Sequence, residues 1–402
     1  MKICYITSQT PYGKGEQFIL PEIRFIRKKG HGVIIIPVRP EKDLALGKEA
    51  EEMKNITLRY DVLNLKIFLK SLKVFIINPL KVLTLVRDIF IYSNGFKKII
   101  KNLAVLPKGL YISEQLKESG VEHIHCHWIS TSSTMGYIAS KISNIPFSIT
   151  SHRWDIAENN MLIPKARNAK FIRVIDEPGY REVIDLIGEK YGHKCIKVHV
   201  GVDIKDICRT ENHNRKNKEF TIVTAANFVE KKGHIYLIQA LNEVRNNGHE
   251  FKTFLYGDGP LENELKEKIS EYNLDDKIIF GGKIAHDSLL KKYYSGDIDC
   301  FILPSIVASD GDKEGIPVSL MEAMAARIPV ISTNTGGISE LVDGTTGINI
   351  NQKNYKALAE AIEKIITDDS YRATLIENGE KRVRDEFHID KVTDKLIGLF
   401  KE

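Results

Sequence analysis

Short β-branched runs alternate with helical apolar patterns along almost the whole of this 402-residue chain. Parallel strands joined by crossover helices produce such an alternation, so the fold class is α/β and a β-sandwich or helix bundle is excluded. One series of strands is expected at Ile3 to Ser8, Gly32 to Val38, His123 to His127, Phe147 to Thr150, Lys170 to Val174 and Cys195 to His199. A second is expected at Phe220 to Ala225, Phe251 to Tyr256, Lys277 to Phe280, Ile298 to Leu303, Pro329 to Ser332 and Gly347 to Ile350. The polar stretch Asp203 to Glu219 separates them, lacks apolar periodicity and reads as a linker. The expected organisation is a first half over 1–202, a second over 203–385, and a closing helix over 386–402 that packs back on the first half.

This length accommodates roughly two or three domains at about 150 residues each, each large enough to bury a core. A 43% hydrophobic and 28% charged composition, with 28 Gly and 13 Pro, excludes disordered and collagen-like chains. Lysine and arginine number 58 against 53 acidic residues, and a net charge of +5 is too small to announce a nucleic-acid partner. The five cysteines (Cys4, Cys126, Cys195, Cys208, Cys300) are scattered and never spaced Cys-x-x-Cys, which indicates neither a disulfide framework nor a zinc cage and points to a reducing cytoplasm. Met1 to Ser8 reads as a first strand and not as a signal-peptide core. No uncharged apolar run approaches the ~18 residues needed to span a bilayer.

One region departs from the rhythm. Residues 61–108 read as a helical insertion rich in Leu, Ile, Val and Phe, punctuated by Lys66, Lys70, Lys73, Lys81, Arg87, Lys97, Lys98, Lys101 and Lys108, with only Asp61 and Asp88 opposing them. Lys66, Lys70 and Lys73 recur at helical spacing beside Ile67, Leu69, Leu72 and Phe75, the pattern of a basic amphipathic helix at an anionic membrane surface. Core-packing helices with a solvated cationic face give the same pattern, and both readings stand at this point.

The constellation richest in chemistry is Glu314-Gly315-Ile316-Pro317-Val318-Ser319-Leu320-Met321-Glu322. Pro317 is expected as the first helical residue, with the helix running to about Arg327. The unpaired amides and dipole of such a helix form an anion site beside Glu314. A carboxylate at the mouth of a phosphate site is unfavourable unless it is held aside for another task, such as accepting hydrogen bonds from sugar hydroxyls. Glu322, further along the helix, can accept from a ribose diol. Either glutamate alone would be an ordinary helix residue; the pair becomes specific through Leu303-Pro304-Ser305 at a strand end and the glycine turn Thr335-Gly336-Gly337, which converge where α/β folds bind ligands.

Glu314 to Glu322 resembles the E-x7-E signature of retaining glycosyltransferases of family 4. The resemblance extends over nearly the whole chain in order: the turn Gly13-Lys14-Gly15, Ser151-His152-Arg153-Trp154-Asp155, Val200-Gly201-Val202-Asp203, Val229-Glu230-Lys231-Lys232-Gly233, Gly257-Asp258-Gly259-Pro260 and Pro304-Ser305. The stretch Ser309 to Pro317 is similar to the branch that builds bacterial exopolysaccharides such as colanic acid and amylovoran. The family implies the GT-B fold, two facing Rossmann-like domains with parallel sheets and a cleft between them. It also implies an acceptor domain over 1–202, a nucleotide-sugar donor domain over 203–385, retention of anomeric configuration and no required metal or other cofactor.

By that resemblance Lys232 holds the donor diphosphate together with the amides that open the helix after Gly315, in the substrate-binding stretch of Gly315, Ile316 and Pro317. Glu314 grips donor-sugar hydroxyls, Glu322 holds the ribose, and His152 lies beside the anomeric carbon. The loop of Gly13 and Gly15 approaches nucleotide and acceptor, and backbone groups near Lys283 and Ile284 meet the base. Five residues before Lys232 the family usually carries an arginine on the same phosphates. Here that position is Asn227, so one charge is missing from the clamp, and either Lys231, Arg153 or Lys283 replaces it or donor turnover is slower than is usual for the family.

His123, His125 and His127 occupy alternate positions of one strand and so share a face, a pattern that invites a metal. No carboxylate or cysteine stands at ligand spacing beyond Cys126, which points the other way, so no metal is expected, and His127 is assigned to the acceptor cleft. The implied function is transfer of a hexosyl unit from a UDP- or GDP-sugar to a growing, polyprenyl-diphosphate-linked glycan by a cytoplasmic enzyme on the inner face of the plasma membrane. Two other classes share the architecture: a nucleotide-sugar epimerase, and a non-catalytic nucleotide-sugar binder of a polysaccharide-assembly complex.

Overall fold

The computed structural model describes residues 1–12, 16–41, 48–61, 64–204 and 219–402. Its strands are β1 Lys2–Gln9, β2 Gly32–Arg39, β3 His123–His127, β4 Phe147–Ser151, β5 Ile172–Val174, β6 Cys195–Lys197, β7 Phe220–Ala225, β8 Phe251–Tyr256, β9 Ile278–Gly282, β10 Cys300–Leu303, β11 Val330–Thr333 and β12 Ile348–Ile350. They form two six-stranded sheets in the orders β2-β1-β3-β4-β5-β6 and β12-β11-β10-β7-β8-β9, and every pairing is parallel. All twelve expected strands are present, with ends shifted by a residue or two at several of them. The chain divides into two units, Met1–Gly201 with Val392–Glu402, and Val202–Lys391.

Each sheet has one place where the strand order reverses. In the first it lies between β1 and β3, which pair from Ile3↔His123 to Ile6↔Cys126. In the second it lies between β7 and β10, which pair at Cys300↔Ile222 and Phe301↔Val223. Loops leaving the carboxyl ends of adjacent strands at such a point diverge to opposite faces and leave a crevice, the general ligand position of open α/β sheets.

Strands buried on both faces are normally apolar throughout, and β3 breaks that rule on one side. Ile124 and Cys126 join the core with Met135 and Ile138. On the opposite face His123 stands 4.7 Å from the ring of Phe400 and His125 5.1 Å, under the residues that close the chain. Leu396, Ile397 and Phe400 are buried there with Ile3 and Tyr5, so residues from Val392 onward are part of the first unit's core.

The helical insertion forms Leu65–Ile77, Pro79–Tyr92 and the first part of Phe96–Glu118. Asn64 caps the first, its side chain accepting from the amide of Lys66, and Pro79 opens the second. Ile67, Ser71 and Val74 face inward, while Leu65, Phe68, Leu69, Leu72 and Ile76 recur at i, i+3, i+4, i+7 and i+11 and are exposed. Leu80, Leu83, Phe90, Ile91, Phe96 and Ile100 are also exposed, on the next two helices. Two details of the sequence reading are corrected. Ile67 belongs to the core side, and Lys108 is no part of a cationic face. Lys108 is buried and donates to the carbonyls of Pro37, Val38 and Tyr60, and burial lowers its ammonium to about 8. No helix among the described residues is long and apolar enough to cross a membrane.

Candidate active site

In the second unit the site is assembled from loops leaving β7, β10 and β11. After β7 the chain passes exposed Asn227 and makes a 3-10 turn over Glu230–Lys232, closed by Gly233 at φ 67°. A Cβ at Gly233 would stand 1.9 Å from the carbonyl oxygen of Pro304, so only glycine lets this turn press against the loop after β10. The two segments are then stitched together. Ile306 N–H donates to the Lys231 carbonyl at 2.8 Å, and the Glu230 carboxylate accepts from the Ser309 amide and hydroxyl at 3.0 and 2.7 Å. Lys231 pairs with Asp312 at 2.9 Å.

Lys232 Nζ lies 2.7 Å from Glu314 Oε1, with both side chains largely buried. From the far side Gly336, at φ 61°, allows the loop after β11 to touch the Glu314 backbone; a Cβ there would meet the Glu314 carbonyl oxygen at 1.8 Å. Two glycine approaches thus fix where Lys232 and Glu314 stand. The ammonium and carboxylate neutralise each other as they stand, so an anion entering here must share the ammonium with Glu314 or displace it.

Gly315, Ile316 and Pro317 lead into the helix Val318–Ala325. Pro317, at ψ 126°, is the cap and not the first helical residue. Its carbonyl starts the ladder by accepting from Leu320, while its own backbone remains extended. The helix also ends before Arg327, which sits at φ 58°. Its N-terminal amides follow Glu314 with three residues between, and Glu322, 7% exposed, lies on the same helix. Glu322 accepts from His286 Nε2 at 2.6 Å. His286 belongs to no sequence motif; it opens the helix His286–Tyr294 two residues after Ile284, which packs against the apolar cluster containing Ile316 and Leu320.

The three cations proposed to replace the family arginine are all engaged. Arg153 is 7% exposed and tied to Asp176 at 3.3 Å and Glu182 at 3.0 Å, which removes it from that role. Lys283 is highly exposed, 3.5 Å from Asp258. Lys231 stands one residue from Lys232 with Asp312; burial would lower its ammonium, but Asp312 and Glu314 carry it above the ordinary value.

In the first unit His152 follows β4 at the edge where β1, β3 and β4 end. Asp155 folds back over its backbone, accepting from His152 N–H at 2.9 Å and Ile129 N–H at 2.7 Å. The His152 ring packs in a cluster with Phe18, edge-on at 4.9 Å, and Trp128 at 4.4 Å, and its Nε2 is 2.8 Å from His127 Nδ1. Burial, then His127 and Arg173, push its imidazole well below the usual histidine range, so the ring is neutral. The loop of Gly13 and Gly15 lies outside the described residues; just after it Glu16 accepts from the Gln9 amide at 2.8 Å and from the Trp128 indole.

His127 does not line a cleft: it is 2% exposed, behind His152. The fold also brings it a carboxylate that spacing along the chain concealed. Glu22, His125 and His127 offer ligand atoms within 4.8 Å of one another. Glu22, however, is already bound by the Arg173 guanidinium and the Tyr5 hydroxyl, and both ring nitrogens of His125 are engaged by Ser148 and Thr150. The guanidinium supplies the positive charge that Glu22 needs.

Two parallel Rossmann-like sheets of these orders define the GT-B fold. HepE of Anabaena, crystallised in complex with UDP, shares it with TM-score 0.72 at 17% identity, covering 100% of both chains. A glycosyltransferase of Rickettsia africae does so with TM-score 0.71 at 19% identity, over 100% of this chain and 98% of that one. Within this fold, residues 209–382 match the family model described as glycosyl transferases group 1, so the second unit carries a group 1 glycosyl transferase domain. WcaL of Escherichia coli, named for colanic acid biosynthesis, is 36% identical over 183 residues, 44% of each chain. AmsK of Erwinia amylovora, an amylovoran biosynthesis glycosyltransferase, is 33% identical over 168 residues, 42% of this chain and 41% of its own. The chain therefore spans less than half the length of these curated relatives.

Proposed function

We propose that this protein is a retaining, metal-independent glycosyltransferase of family 4 that moves a hexose from a nucleoside-diphosphate sugar to a growing glycan in bacterial polysaccharide synthesis. The observation that carries this reading is the Lys232–Glu314 pair, fixed by two glycine approaches beside the amides that open Val318–Ala325. Lys232 and those amides stabilise the departing diphosphate, where charge develops as the glycosidic bond breaks. Glu314 accepts from donor-sugar hydroxyls and Glu322 from the ribose. Neutral His152 supports the cationic carbon. The departing phosphate oxygen takes the acceptor proton.

Thermal unfolding with UDP, GDP, ADP, TDP and CMP, first without metal and then with magnesium, tests the donor assignment. UDP leads the set because HepE was crystallised with it. Nucleotide at a hundred times its dissociation constant should stabilise the native state by about 2.7 kcal/mol, a clear upward shift in Tm, and magnesium should add nothing. No shift with any nucleotide defeats the donor site. Product analysis then separates transfer, which yields free nucleotide and a longer glycan, from epimerisation, which yields an altered nucleotide sugar.

The acceptor is proposed to be polyprenyl-diphosphate-linked and reached at the inner face of the plasma membrane. The exposed stripe Leu65, Phe68, Leu69, Leu72 and Ile76, bordered by exposed Lys66, Lys70 and Lys73, supports this placement. Apolar side chains enter the headgroup boundary while each nearby lysine adds about 1 kcal/mol on anionic lipid. The protein should co-float with vesicles containing anionic lipid and should lose that binding when Phe68 and Leu72 are both replaced by serine. Equal recovery with purely zwitterionic vesicles, or none with either, contradicts the placement.

A further inference from the structure

We infer that His127 is a positioning residue that sets the tautomer of His152, keeping the proton on Nε2 and leaving Nδ1 as the lone pair. The relevance to catalysis rests on the role proposed above for His152; the tautomer itself does not.

The geometry is a buried relay of three groups. His152 Nε2 and His127 Nδ1 are 2.8 Å apart, so one donates and the other accepts. Which does which is decided at the other end of the His127 ring. Among the described residues His127 Nε2 is buried without a hydrogen-bond partner, and it faces Glu22 Oε1 at 3.6 Å. Glu22 is held as a carboxylate. Burial alone would raise its carboxyl, but Arg173 and the neighbouring histidines bring it well below the usual range. A lone pair aimed at a buried carboxylate is repelled and an N–H is attracted, so the His127 proton sits on Nε2. In the neutral His127 ring Nδ1 is then an acceptor, and His152 donates from Nε2.

Every neighbour of this relay is spoken for. The Tyr5 hydroxyl donates to Glu22 at 2.9 Å, with its ring stacked on His127 at 5.8 Å. Arg173 takes Glu22 Oε2 and also donates to the carbonyls of Val198 and His199. His125 stands edge-on to His127 at 5.2 Å with both its nitrogens bonded to hydroxyls. Phe18 and Trp128 both pack against the His152 ring, with centroids 4.9 and 4.4 Å away. The arrangement parallels a carboxylate that orders a catalytic imidazole, with a second imidazole inserted between them.

Long-range proton–nitrogen correlation NMR on the wild-type protein labelled with 15N-histidine reads the tautomer directly, the His152 signal being the one lost in His152→Asn. The expected pattern is a protonated Nε2 and a bare Nδ1; a protonated Nδ1 overturns the inference, whatever the enzyme's activity. Two variants test the consequence. His127→Phe removes the acceptor and should lower kcat for sugar transfer by roughly 10- to 100-fold with the donor KM nearly unchanged, as His152 loses its single tautomer. His127→Asn, which can offer an amide oxygen where Nδ1 stood, should recover most of that loss. Equal kcat in both variants, or a loss expressed only in KM, would show His127 to be packing alone. Absence of transfer by the wild-type protein defeats the transferase reading and leaves the tautomer result to stand or fall separately.

Discussion

Replacing Lys232 by alanine is expected to cost about 2 to 4 kcal/mol of transition-state stabilisation, a loss of roughly 30- to 1000-fold in kcat/KM for sugar transfer. Two effects combine in this loss. The fixed positive charge proposed to meet the departing diphosphate disappears. In addition Glu314, which is 8% exposed and 2.7 Å from the ammonium in the intact protein, is left as a buried carboxylate beside the anion site. Part of the loss should therefore appear as weaker nucleoside-diphosphate binding. The double variant Lys232→Ala/Glu314→Gln separates the terms: it should bind nucleotide more tightly than Lys232→Ala while remaining slow in transfer. Near-normal turnover of Lys232→Ala would refute the role. The measurement is decisive because Asn227 stands where the family places a second cation and Arg153 is committed to Asp176 and Glu182.

The fold was legible because parallel sheets write themselves into local sequence: buried strands are short β-branched runs, and each crossover is a helix. The position of the second unit's loops was legible for a related reason. Lys232, Glu314 and Gly336 all fall just after strand ends, and the strand order brings those ends together. What stayed hidden has two physical causes. Partners remote in sequence leave no local pattern: Glu22 and Arg173 are 151 residues apart, and His286 reaches Glu322 across 36. Termini of elements are set by backbone angles that residue type only biases, so Pro317 suits both the first helical position and the cap it occupies. The amphipathic insertion illustrates a third limit. Periodicity shows that a helix has two faces, but which one turns inward depends on what packs against it; Ile67 stands beside Leu69 and Leu72 in the pattern and Lys108 among the cations, and packing turns both inward.

The second large effect is expected at Arg173, in the stability of the first unit. Arg173→Met should destabilise the first unit by about 3 to 5 kcal/mol, since it leaves Glu22 buried without its cation. Tryptophan fluorescence isolates this unit, because the chain's two tryptophans, Trp128 and Trp154, both lie in it. The pH dependence identifies the cause. In the wild-type protein the folded carboxyl of Glu22 is held below its unfolded value, so its stabilisation is fully present above about pH 4.3 and is lost only as pH falls toward the depressed folded value. Without Arg173 the balance tips to burial, the folded carboxyl rises above the unfolded value, and the variant gains stability as pH is lowered from 7 toward that unfolded value. The deficit relative to wild type should then narrow steadily with acidification. Adding Glu22→Gln to Arg173→Met should remove most of that pH dependence. A deficit that stays constant between pH 7 and 5 would mean that Arg173 stabilises the unit through packing and its bonds to the Val198 and His199 carbonyls, and not through the charge of Glu22.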